Sequence, residues 1–136
     1  MPRPAALAAA LVLLPMLAPA LAPALALAHS DMNGPHGGEV EDANPGPYHF
    51  ETAVQGNTLS VFVTDADEKP VAVAPITGFA VVLANKVKQQ VALAPVAANQ
   101  LQGSGSFAAG AELRVLVSLV IDGQKQQALF SPPARP

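Results

Sequence analysis

From Tyr48 onward, apolar and polar positions alternate for most of the chain. Tyr48, Phe50, Thr52 and Val54 alternate with His49, Glu51 and Ala53, the period of a strand with one buried face. Gln55-Gly56-Asn57 predicts a turn. Leu59, Val61 and Val63 then alternate with Ser60, Phe62 and Thr64, the second arm of a hairpin. Asp65 to Pro70 reads as a polar turn. Val71 to Pro75 reads as a short edge piece, because the prolines at its ends cannot donate to a ladder. Phe79 to Ala84 is a nearly continuous apolar run and predicts a central strand. After a turn at Asn85-Lys86, Val87, Gln89, Val91 and Leu93 resume period two. Leu101 to Phe107 is a weaker strand, broken by Gly103 and Gly105. Glu112 to Ile121 is the strongest, with Leu113, Val115, Val117 and Leu119 on one face. Asp122-Gly123 is a preferred hairpin dipeptide, and Gln127 to Phe130 closes the series.

About seven strands with turn signals between them predict an all-β domain over residues 48–131, an immunoglobulin-like β-sandwich first and a small β-barrel second. Residues 132–136 read as a tail. No stretch after residue 30 has a convincing helical period.

The part before Tyr48 follows different rules. Arg3 is the only charge ahead of His29, and Pro4 to Ala28 carries no polar side chain. Ala26-Leu27-Ala28 is a small-x-small site followed by polar residues. A basic start, an apolar core and such a site predict a cleavable signal peptide over residues 1–28. The run is long enough to span a bilayer, but Pro15, Pro19 and Pro23 interrupt it. The expectation is therefore export to the periplasm, with no membrane insertion after cleavage. Residues 29–47 form a lead rich in His, Gly and Pro, too broken for a helix.

Composition narrows the function. Of the seven Lys and Arg, Arg3 lies in the leader, so ten acids face six bases beyond residue 28, a formal charge of −4. Nucleic-acid affinity comes mostly from basic side chains on phosphates, so no nucleic-acid partner is expected. The same balance argues against an anionic membrane surface. The chain has no cysteine and no tryptophan. Thiol catalysis, thiolate zinc sites and iron–sulfur clusters are excluded, and a broad aromatic ligand platform is not expected.

All three histidines, His29, His36 and His49, fall within 21 residues, with Asp31, Glu39, Glu41, Asp42 and Glu51 among or beside them. Imidazole suits copper, zinc and nickel, and carboxylates complete such sites. Cleavage after Ala28 would make His29 the first residue, able to chelate through its α-amino nitrogen and Nδ1. A second imidazole would then complete a nitrogen set suited to Cu(II). The expected metal site is His29, His36 and His49, supported by Asp31 or Glu51, with copper first and zinc second. Met32 adds a thioether. Asp65-Ala66-Asp67-Glu68 lacks the later Gly and Glu of an EF-hand loop. Pro35-His36-Gly37-Gly38 has no G-x-S-x-G nucleophile elbow to serve. No enzymatic activity is expected.

Two segments carry a resemblance: Gly34-Pro35-His36-Gly37-Gly38-Glu39-Val40 and Pro47-Tyr48-His49-Phe50-Glu51. With the strand pattern downstream, roughly residues 34–130 resemble small exported bacterial proteins. They are also similar to the N-terminal β domain of periplasmic adaptor subunits of heavy-metal efflux pumps. The residues that match are His36, His49 and Glu51. The resemblance implies a periplasmic β-sandwich in a metal-handling setting. The expected role is metal buffering, delivery or resistance; the alternative is a non-catalytic structural or interaction module whose exposed strand edges pair with an efflux adaptor or another envelope protein. The adaptors' membrane-spanning and hairpin portions have no counterpart in this sequence.

Overall fold

The computed structural model describes residues 33–107, 111–132 and 134–136. The expected signal peptide and the first lead residues, His29, Asp31 and Met32 among them, lie outside that range. Nine strands run in the order β1 (Glu39–Asp42), β2 (Tyr48–Gln55), β3 (Thr58–Asp65), β4 (Thr77–Ala84), β5 (Val87–Ala97), β6 (Gln100–Ser104), β7 (Leu113–Ile121), β8 (Gln124–Phe130) and β9 (Ala134–Arg135). None of the described residues is helical, so the chain is all-β.

The pairing path is β1-β2-β3-β6-β5-β4-β7-β8, antiparallel throughout, with β9 added parallel to the end of β2. Two features bend this path towards closure. The first half of β5 pairs with β4 and its last residues pair with β6, with a register shift between Pro95 and Ala97. Such an irregularity lets one strand turn a corner between two sheet faces. At the other end, Asn44 and Gln127 exchange backbone hydrogen bonds of 2.8 and 3.0 Å, joining the residues after β1 to β8. The result is a nearly closed antiparallel barrel of eight strands plus β9. The expected seven-stranded sandwich gives way to this arrangement because β5 is shared by both faces.

The alternating positions point as the pattern requires. Phe50, Val54, Leu59, Val61, Val63, Val82, Val115, Val117 and Phe130 are buried in one core. The turns at Asn85-Lys86 and Asp122-Gly123 hold both central residues at positive φ, the geometry whose twist matches a two-residue hairpin. Val71–Pro75, expected to be an edge strand, forms none. It packs as a loop with Val73 buried, bonded through Val73 N–H to the Ala98 carbonyl at 3.0 Å.

Thr52 is the exception inside the core. It points inward between Phe50 and Val54, fully buried, and its Oγ1 has no hydrogen-bond partner. A buried hydroxyl without a partner costs about 1–3 kcal/mol. Thr52→Val keeps the shape and removes the hydroxyl, so it should raise unfolding stability in urea by about 1 kcal/mol. A loss of stability would show that the hydroxyl is paired.

Candidate functional site

The outer face of β2 and β3 carries the site. On β2, His49, Glu51 and Ala53 point away from the core, opposite Phe50, Thr52 and Val54. Direct cross-strand neighbours are Asp42 opposite His49, and Val40 and Phe62 on either side of Glu51. An acid on an outward face would ordinarily be solvated, yet Glu51 is only 5% exposed. The lead covers it. Residues 34–38 make a tight loop in which Gly37 N–H donates to the Gly34 carbonyl (2.9 Å) and Gly34 N–H to the Gly38 carbonyl (2.8 Å).

That loop is fastened to the sheet by one carboxylate. Glu51 Oε1 accepts from His36 N–H (2.8 Å) and Gly38 N–H (3.0 Å), and Oε2 contacts His36 Nδ1 at 2.7 Å. The glycines follow from this closeness. A Cβ on Gly34 would overlap the Glu51 carboxyl group, and one on Gly38 would stand 2.6 Å from the Thr52 carbonyl oxygen. The Gly-Pro-His-Gly-Gly run and the Tyr-x-Phe-Glu run, read separately in the sequence, are thus two halves of one contact. The His36 ring then lies flat on Phe62, with centroids 3.6 Å apart and planes 1° from parallel.

His49 is held in the same manner. Its Nδ1 lies 2.6 Å from Asp42 Oδ1, across the β1–β2 pair. A carboxylate offers only acceptors, so each contact assigns the ring proton to Nδ1 and leaves a lone pair on Nε2. His36, His49 and Glu51 line one cavity of about 290 Å³, together with Asn33, Thr64 and Glu68. His36 is the more exposed of the two imidazoles, at 44% against 30% for His49.

Acidic groups crowd the inward side of β1. Burial, with Glu39 and then Asp42 nearby, pushes the Glu41 carboxyl above its ordinary value. Glu39 itself accepts Ser131 N–H at 2.8 Å. Burial and the Asp122 carboxylate, 3.2 Å from the hydroxyl, likewise raise Tyr48.

The structure therefore brings three of the five expected metal residues to one cavity and gives them unequal tasks. Glu51 is spent on the lead loop and on His36. Asp42, which was not among the expected residues, takes the corresponding place behind His49. The sequence places Asp42 among the carboxylates near the histidines, but singling it out as the partner of His49 needs the β1–β2 pairing. His29 and Asp31 lie outside the described residues. Among the described residues, no three His, Cys, Asp or Glu side chains are grouped closely enough to hold a metal ion. No helix there is long and apolar enough to cross a membrane. No protein family, curated protein or solved structure matches the chain.

Proposed function

We propose that the protein is an exported, periplasmic binder of copper or zinc that buffers or delivers the ion without turnover. The observation that carries this reading is the pair of histidines on one cavity, each with Nδ1 held by a carboxylate at 2.7 or 2.6 Å. A ligating imidazole commonly donates its second N–H to a carboxylate, which fixes the tautomer and raises the basicity of the coordinating nitrogen. His36 and His49 would each offer Nε2. Two nitrogens hold a transition metal weakly, so the site needs the lead. His29, freed by cleavage after Ala28, would add an α-amino nitrogen and a ring nitrogen. Four nitrogens suit Cu(II), and a tetrahedral arrangement suits Zn(II). Glu51 and Asp42 act behind the rings and not on the ion. The resemblance to efflux adaptors supports a metal-handling setting and makes such an adaptor the acceptor to test.

Calorimetric titration of the processed protein with Cu(II) and Zn(II) tests this. The expected result is submicromolar binding of at least one ion, weakened about 10- to 100-fold by His36→Ala, with a similar loss for His49→Ala. Binding no tighter than about micromolar, or binding indifferent to His36→Ala, would sink the proposal.

A further inference from the structure

The strand path places β4 and β7 across the barrel from β2 and β3, so their outer face is opposite the histidine cavity. On β4 that face is apolar from Phe79 through Leu83 where alternation would give polar residues, whereas β7 and β8 mix apolar and polar positions, Ser118 and Gln127 among them. Val81, Leu116 and Leu129 stand in one cross-strand row over β4, β7 and β8, and Phe79 and Leu83 extend it along β4. Of the five exposed large hydrophobic residues among those described, three lie on this face: Leu83, Val120 and Leu129, the last 56% exposed. Scattered apolar side chains need no explanation, but a contiguous patch does.

The charges sort the same way. Lys86, Lys88, Arg114 and Lys125 are exposed on this half, four of the six basic residues beyond position 28. None is within ion-pair distance of a carboxylate among the described residues. Glu112 and Asp122 are the acids here, and Asp122 is engaged by Tyr48. Glu39, Glu41, Asp42, Glu51 and Glu68 lie on the opposite half, with Asp65 and Asp67. The net negative charge that argues against an anionic surface is thus gathered on one side.

We propose that the β4–β7–β8 face adsorbs peripherally to an anionic phospholipid surface. Basic side chains flank the apolar row at both ends, Lys88 and Arg114 beside Leu83 and Lys125 beside Val120. Such a frame matches a uniform anionic plane with an apolar layer beneath it. A second copy seated face to face would set like charges against one another. Adsorption this way turns the acidic half and the histidine cavity to the solvent. The inference does not depend on metal binding.

The test is partitioning of the exported protein, with EDTA present, onto phosphatidylglycerol-containing vesicles and onto pure phosphatidylcholine vesicles. Binding should favour the anionic vesicles at least tenfold and fall as salt is raised. Leu129→Asp, and Lys88→Glu with Arg114→Glu, should each lower it about tenfold. Both sets are outward-facing, and thermal unfolding of each variant checks that it folds. Equal partitioning onto the two vesicles, or partitioning unchanged by both variants, would overturn the proposal. So would a dimer in sedimentation velocity that Leu129→Asp dissociates while vesicle binding is absent.

Discussion

Glu51→Ala is expected to lower the unfolding free energy by about 3 kcal/mol and to release the lead from the sheet. The side chain is nearly buried and satisfies three groups at once: two backbone N–H groups of residues 36–38 and the His36 ring. Hydrogen bonds to a charged acceptor are each worth about 1.5–3 kcal/mol, and orphaned buried donors add a penalty. The sum is not additive here, because once the carboxylate is gone the loop can lift into water and recover part of the loss. For a domain of this size the expected fall in Tm is about 12–20 °C. Glu51→Gln should cost much less, about 1 kcal/mol, since its carbonyl oxygen still accepts the two backbone N–H groups. Amide exchange locates the effect. In the Ala variant the N–H groups of His36 and Gly38 should lose protection while those of β4 and β7 keep theirs. Uniform loss of protection across the sheet would mean that the clasp and the barrel unfold together. Under the proposed function, the same variant should weaken metal binding through His36 without removing any ligand.

The core was legible because it obeys a period of two. Inward positions of β2, β3 and β7 could be listed from the alternation, and the two tight turns from Asn85-Lys86 and Asp122-Gly123, whereas the continuous apolar run of β4 gave a strand without telling its two faces apart, and on β5 the listed Val87 is exposed. What escaped the pattern has backbone causes. β1 is Glu-Val-Glu-Asp, whose side chains give no apolar rhythm, and it is a strand because β2 offers it a ladder. β9 consists of Ala134 and Arg135, too short for any period, and pairs with Val54 and Gln55 through the main chain. The site was half legible. Alternation puts His49 and Glu51 on one outward face, and that is where they lie. The burial of Glu51 was not readable, because it depends on a loop 13–17 residues earlier folding over it. Gly34 and Gly38 on either side of His36 were the available clue. Two glycines bracketing a histidine mark a backbone that something must approach closely. The charge segregation likewise needed the strand order, since net charge sums over both halves of the barrel.

Gln126→Leu is expected to cost about 2–4 kcal/mol despite conserving volume and adding apolar surface. Gln126 points into the core of β8 and is 1% exposed. Its Oε1 accepts Gly46 N–H at 2.8 Å and its Nε2 donates to the Gly46 carbonyl at 3.1 Å. The side chain thus acts as one more peptide group, satisfying a turn that has no strand partner of its own. Leucine would fill the space and leave both Gly46 groups without partners. Ala43 to Pro47 is the connection between β1 and β2, and Asn44 within it makes the bridge to Gln127 that draws the barrel shut. The loss should therefore appear first at that seam, as faster exchange of the Asn44 and Gln127 amides. Gln126→Glu separates the two bonds, since a carboxylate still accepts Gly46 N–H but presents an oxygen to the Gly46 carbonyl. It should be at least as destabilising as leucine, because a buried charge is added to the lost donor. A leucine variant as stable as the wild type would show that the Gly46 turn reaches water, and that closure of the barrel rests on the Asn44–Gln127 bridge alone.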